Sequence, residues 1–260
     1  MADLKQLNDA LNEYIRPQTF PVALKMCRSA SELPEKVRVP SKDMKYPIMV
    51  CQAVSMARRY GWMLALGKED VACTAGAVTL GFVDPAKYLD GSYSESLVPG
   101  SKERAAKRAR LMERLEYGKY SHLLVSPLQN ASFQPDAIVI YANSAQVMRL
   151  VQAATNAGGD ELSATSAGGM DCSDIMARTM LTDQCQFILP SGGDRVFGLT
   201  QDHEMLFTIP FSKIETVVKG LETTHRAGFR YPVLSFLRFK PDMPPNLDVA
   251  RYTKFIGGGK

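Results

Sequence analysis

Apolar residues recur at helical spacing over the opening of the chain. Leu4, Leu7, Leu11, Tyr14 and Ile15 share one face and Pro17 closes the pattern, so residues 3–16 predict an amphipathic helix. A strand-length apolar run follows at 20–26, ahead of a polar loop, with Cys27 at its end. The run IMVCQAVSMARRYG, 48–61, has helical character, with Arg58 and Arg59 in its last turn and Gly61 at the stop. Residues 62–66 predict a strand, and the small-residue segment 71–81 a second helix in which Gly76 and Ala77 permit close approach.

From 84 to 101 the composition turns to Gly, Ser, Pro and Tyr and reads as an excursion loop. A basic helix over 102–117 follows, with Ala105, Ala109, Met112 and Leu115 as its narrow buried stripe. Strands are predicted at 122–125 and 137–141, the second apolar enough to be buried on both faces. Ser144 is the expected cap of a helix that Gly158-Gly159 ends. Asp171 is the expected cap of a short helix from Cys172 to about Met180, followed by a strand at 186–189. Residues 195–197 and 205–209 predict a strand pair across GLTQDHE, and Pro210 opens an amphipathic helix ending near His225. An edge strand within 231–239 and an extended proline- and glycine-rich arm over 241–260 complete the reading. Helices and strands mix without strict alternation. The expected class is therefore α+β, one domain over 1–240 with a mixed or mostly antiparallel sheet and packed helices, rather than a doubly wound parallel sheet.

Composition adds bounds. A chain of 260 residues can bury about three quarters of its unfolded surface, enough for a core without disulfides or metals as props. No apolar run approaches the roughly 18 residues of a spanning helix, and the first residues do not read as a signal peptide, so no membrane span and a cytoplasmic location are expected. Five cysteines, an odd number without an export signal, argue for reduced thiols or metal ligands over a disulfide framework. The formal net charge is +4, and 102–114 alone, with six basic residues against two acidic, carries the same excess.

Candidate chemistry concentrates in the stretch 164–195. It sets Cys172 and Cys185 between the pairs Gly168-Gly169 and Gly192-Gly193 and closes on Asp194-Arg195. Cys172 is expected at the first position of its helix, where the dipole and free amides would lower the thiol's pKa, and Cys51 and Cys73 also lie near predicted helix starts. No CxxC pair exists to declare a metal site. On spacing alone the four thiols read first as buried structural cysteines, since free cysteine is among the most buried residue types.

Residues 47–81, with Cys51, Ala57-Arg58, Cys73 and Leu80-Gly81, together with Cys172, Cys185 and the segment DHEMLFTIPFSKIETVVKGLE, resemble the uncharacterised prokaryotic family known as domain of unknown function 169. The likeness covers nearly the whole chain and is most specific in that last segment. It implies a shared constellation of Cys51, Cys73, Cys172 and Cys185 and implies no reaction. Where the family's later cysteine is often followed by Gly-Ala-Arg, this chain has Cys185 followed by QFILPSGGDR, a departure at Arg195. Cys27 stands outside the set as a packed thiol.

With the resemblance, the expectation is an iron–sulfur protein, a [4Fe-4S] cluster on those four cysteines. Gly168, Gly169 and Arg195 would shape access for a small ligand, and the role would be redox or small-ligand binding. Zinc is the lesser option. The alternative is a non-enzymatic ligand-binding or assembly protein with buried thiols, whose basic helix contacts an anionic partner. A thiol enzyme using Cys172 alone is a third reading. A redox partner protein or small molecule is the expected partner. The basic helix lacks the interleaved aromatics of a single-strand binder, which disfavours nucleic acid, and its apolar stripe would also suit a homo-oligomer contact. His203, beside Asp202 and Glu204, reads first as a solvated turn and second as a base or ligand. With no Walker loop, no GxGxxG after a strand and no HExxH, neither ATP nor NAD has a motif.

Overall fold

The structure is a computed structural model and describes residues 4–95, 101–159, 161–166 and 168–233. Six strands pair antiparallel in one sheet: β1 (Val22–Cys27), β2 (Leu64–Gly67), β3 (His122–Pro127), β4 (Ala137–Asn143), β5 (Gln186–Ile188) and β6 (Glu204–Pro210), in the order β2-β3-β1-β4-β6-β5. The helices among the described residues are α1 (Leu4–Tyr14), α2 (Pro40–Asp43), α3 (Val50–Tyr60), α4 (Thr74–Thr79), α5 (Ala86–Leu89), α6 (Lys102–Arg110), α7 (Ser144–Thr155), α8 (Arg178–Thr182), α9 (Gly192–Phe197) and α10 (Ile214–Arg226). A π-helical turn, Cys172–Ala177, runs directly into α8. The fold is α+β, with the sheet antiparallel throughout. No helix among the described residues is long and apolar enough to cross a membrane.

The two-residue period of a strand sends alternate side chains to opposite faces, and this divides the core. From β4, Ile138, Ile140 and Ala142 join Phe207 and Ile209 of β6 under α1, α7 and α10. Val139 and Tyr141 of the same strand face the other way, with Val22, Leu24 and Met26 of β1, under α3, α4 and the π-helical turn. Strand β4 is thus buried on both faces, as its continuous apolar run predicts. Of the candidate thiols, Cys172 packs against the second of these layers, and Cys51 and Cys73 lie on or just before the helices α3 and α4 that cover it.

Four local expectations are corrected. The basic helix ends at Arg110, seven residues early: Met112 and Leu115 are buried as expected, but the Leu115 amide donates to the Thr79 carbonyl and Gly118 to Gly81, so tertiary bonds replace the helical ladder. Residues 195–197 are helix, not strand. Ser191 starts α9 by accepting from the Asp194 amide at 3.3 Å, and this capping signal outweighs the short β-like run. Asp171 is no cap, since it already has helical φ and ψ and its carboxylate serves Ser191 instead. The cap of α7 is Asn143, whose side chain and that of Gln146 exchange bonds with each other's backbone amides. The predicted strand in 231–239 lies mostly, and the arm at 241–260 wholly, outside the described residues.

Helices α7 and α10 approach closely because residue 220 is glycine: a Cβ there would collide with the Ala153 carbonyl. Replacement Gly220→Ala forces the pair apart and is expected to cost about 1–3 kcal/mol. Urea denaturation measures it, and a midpoint equal to that of the native chain would refute this account of the packing.

Candidate functional site

Three of the four candidate thiols lie near one another, each at the start of a separate segment. Cys51 occupies the first turn of α3. Cys73 is the N-cap of α4, its Sγ accepting from the Gly76 amide at 3.3 Å. Cys172 begins the π-helical turn and packs on the core beneath α3. Gly76 permits the convergence of α3 and α4, because a side chain at that position would press on Val50 of α3, whose Cγ2 would stand 3.2 Å away. Electrostatics report the proximity: after burial, the charges of Cys51 and then Cys73 are the next causes opposing ionisation of Cys172, and Cys73 likewise opposes Cys51. From α9, the Gly193 carbonyl lies 4.0 Å from the Cys51 sulfur.

Cys185 is elsewhere. It is buried in the layer under α7 and α10, with Lys213 and Asp183 as its charged neighbours, and it lines a separate cavity of about 360 Å³. The π-helical turn and α8 lie between Cys172 and Cys185, a helical path of roughly 15 Å. Cys27 is packed with Ala65 and Leu124, and burial pushes its thiol up to about 11. Among the described residues no group of three or more His, Cys, Asp or Glu side chains is arranged to hold a metal ion.

The profile of the family described as uncharacterised ArCR, DUF169, matches residues 10–220. The chain belongs to the DUF169 family. It is also similar to "Uncharacterized protein MJ0308" of Methanocaldococcus jannaschii, 26% identical over 205 residues, which span 77% of this chain and 86% of that protein. No solved structure matches it.

Behind the thiols, this DUF169 chain builds a buried polar network. Arg58, 1% exposed, donates to both oxygens of Glu204, at 2.7 and 3.1 Å, and its guanidinium lies 3.8 Å over the Tyr141 ring. The Tyr141 hydroxyl donates toward the Asp194 carboxylate at 3.1 Å, and Thr200 donates to the same carboxylate at 2.6 Å. Burial, then the Asp194 charge, raises Tyr141 well above the ordinary phenol value, so it remains a neutral donor. Ser191 links this group to Asp171, donating its amide at 3.0 Å and its hydroxyl at 3.0 Å. Burial and the Asp194 charge push Asp171 up to about 7. Tyr141 and Thr200 carry no motif. Arg58 is foreshadowed by its position two turns after Cys51 on the same side of the helix.

The remaining sequence candidates divide. Gly168 is left-handed at φ +64°, and Gly169 lies directly against the Arg108 guanidinium, where a side chain would collide with it. This brings basic helix α6 to the edge of the thiol site: Cys73 and Arg108 both act on Tyr88, one raising and the other lowering its pKa. Arg195 is not brought to the thiols. Its guanidinium donates to the Gln201 carbonyl at 3.0 Å and lies 3.7 Å from Asp202 on an exposed turn. His203 sits exposed on that turn, as the solvated reading anticipates.

Two expectations follow. The predicted lowering of the Cys172 pKa is reversed: burial raises Cys172 well above its usual value, Cys51 to about 12 and Cys185 to about 12. Because the thiolate is the nucleophile, iodoacetamide should label Cys172 in metal-free protein slowly at pH 8, no faster than Cys185, with the rate still climbing at pH 10. Competitive labelling read by mass spectrometry checks this, and a hyper-reactive Cys172 would restore the thiol-enzyme reading. Separately, Arg58→Ala strands the buried Glu204 carboxylate. The expected loss is about 3–5 kcal/mol in chemical denaturation, against under 1 kcal/mol for a surface ion pair such as Lys5–Asp9.

Proposed function

We propose that this chain is an iron–sulfur protein whose cluster is held by Cys51, Cys73 and Cys172. The observation that carries the reading is the nearness of three thiols from three segments distant in sequence, each at a helix start or first turn and each close enough to bear on another's charge. Soft thiolate donors suit iron–sulfur clusters, and a cluster is a body several ångströms across, so its ligands stand wider apart than those of a single ion. A bound cluster would supply one-electron transfer or a Lewis-acidic iron at this place.

The chain's own residues do the positioning. The Gly76 amide donates to the Cys73 sulfur, the kind of bond that tunes a sulfur ligand. Tyr141 and Thr200 hold Asp194, and with it α9 beside Cys51. Arg108 brings positive charge to the rim at Gly169. Cys185, on the other side of the sheet, is left out of the ligand set, so one position falls to a small molecule or another donor. A redox partner protein or small ligand, and a reducing cytoplasmic setting, belong to the same reading.

A second reading has its own support. Burial favours protonated thiols, as in structural cysteines, and α6 turns Lys107 and Arg110 outward, so a non-enzymatic protein that binds an anionic partner would share these features.

One variant series separates them. Protein purified without oxygen should be brown, with a thiolate-to-iron absorption band and matching iron and sulfide. Single Cys51→Ser, Cys73→Ser and Cys172→Ser changes should each remove most of that band, whereas Cys185→Ser and Cys27→Ser should keep it. A colourless, iron-free protein from anaerobic cells would sink the iron–sulfur reading and leave the second.

A further inference from the structure

A cleft of about 530 Å³ opens at the opposite end of α3 from Cys51, between that end, α1 and the segment leading into β1. Its lining includes Arg58, Arg59, Asn8, Asn12, Gln18 and Gln129, and no acidic residue. Behind it stands one carboxylate, Glu204, whose two oxygens are taken by Arg58, with Arg59 at 3.9 Å. Two guanidinium charges therefore face one carboxylate, and a positive charge is left over.

The donors are also in surplus. Arg59 donates to the Leu199 carbonyl at 2.7 Å, but the Nε–H groups of both Arg58 and Arg59 are shielded from water and have no hydrogen-bond partner. The Nε–H groups of Arg149 and Arg178 are in the same state elsewhere, so it is the pairing of two such arginines with one carboxylate beside an open cleft that marks this place. The amide side chains of Asn8, half-buried, and of Asn12, Gln18 and Gln129, exposed, line the cleft. Phe20, 38% exposed, and Pro17 supply apolar wall. A concave site of this size, with converging polar groups and some apolar lining, has the make-up of a small-molecule pocket.

We infer that this cleft binds a small organic anion through a carboxylate or phosphate head placed against Arg59, with the buried charge of Arg58 behind it and the amide side chains holding the ligand's polar body. Guanidinium groups match both heads in geometry, and Arg59, being partly exposed, is the first to be reached. The site is separate from the thiols and does not rest on the iron–sulfur reading.

The test uses the full chain, the arginine Nε–H signals in a proton–nitrogen correlation spectrum, and two probes, inorganic phosphate and acetate, titrated with chloride adjusted to constant ionic strength. At least one probe should shift the Arg59 Nε–H signal saturably. Saturation by phosphate alone assigns a phosphate head, and by acetate alone a carboxylate. Arg59→Gln should weaken the effect at least tenfold on the backbone amides of 17–21, with the rest of the amide spectrum unchanged. Should that variant fail to fold, Asn12→Leu, an exposed change on α1, should weaken binding in the same direction. Absence of a saturable shift with either probe, or shifts that survive substitution unaltered, would overturn the inference.

Discussion

The arrangement at the thiols depends on one buried interaction, the pairing of Arg58 with Glu204 over the face of Tyr141. Burying a guanidinium is costly unless its charge is answered, and here its charge and its two terminal nitrogens are met from three places at once: both carboxylate oxygens of Glu204 on β6, the aromatic face of Tyr141 on β4, and the Leu199 carbonyl at 3.3 Å ahead of β6. Arg58 and Cys51 share α3, seven residues and about 10 Å apart on the same face of the helix. Fixing the arginine therefore fixes the rotation of α3 about its axis, and that decides where the Cys51 sulfur points. A pair of this kind adds little net stability over an apolar replacement, yet it penalises any arrangement in which one partner is left alone.

The same interaction extends to the second wall of the site. Tyr141, held beneath Arg58, donates to Asp194. Asp194 sits in α9, and α9 presents the Gly193 carbonyl to Cys51. Ser191, at the cap of α9, ties back to Asp171, the residue before Cys172. The two ends of the 164–195 stretch are thus joined through a serine and a carboxylate rather than through its glycines. The Asp194 charge opposes ionisation of Asp171, and the hydroxyls of Ser191, Thr200 and Tyr141 donate to the two carboxylates and favour their charged forms. Gly169 leaves room for the Arg108 guanidinium of α6 directly against its backbone.

What the sequence made legible was local. The amphipathic faces of α1, α3 and α10, the doubly buried run of β4 and the α+β class follow from periodicity, because each is decided by residues within one or two turns of each other. The left-handed stop at Gly61, with φ +74°, is of the same kind. Misreadings arose where distant groups decide the outcome. The end of α6 is set by Thr79 and Gly81 taking its backbone partners, and Asp171 was claimed by Ser191, twenty residues on, rather than by its own helix. Of the site, the thiol identities were legible, but Tyr141, Thr200 and the role of Glu204 were not, since a buried network leaves no spacing signature along the chain.

Burial also explains the reversal at Cys172. A thiol at a helix start gains from the dipole only when the charged form keeps solvent or a cation nearby. Here the π-helical turn packs Cys172 onto the core, and two further thiols and two carboxylates bear on it, so desolvation and like charge act together against the thiolate. Cys185 misses this cluster for a geometric reason. The chain from Cys172 is helical as far as Thr182, and it delivers Cys185 to the start of β5, where its side chain joins the core beneath α7 and α10. No rotamer carries a sulfur from one face of a sheet to the other. Cys172 and Cys185 therefore face different layers of the core, one against the layer under α3 and the other in the layer under α7 and α10.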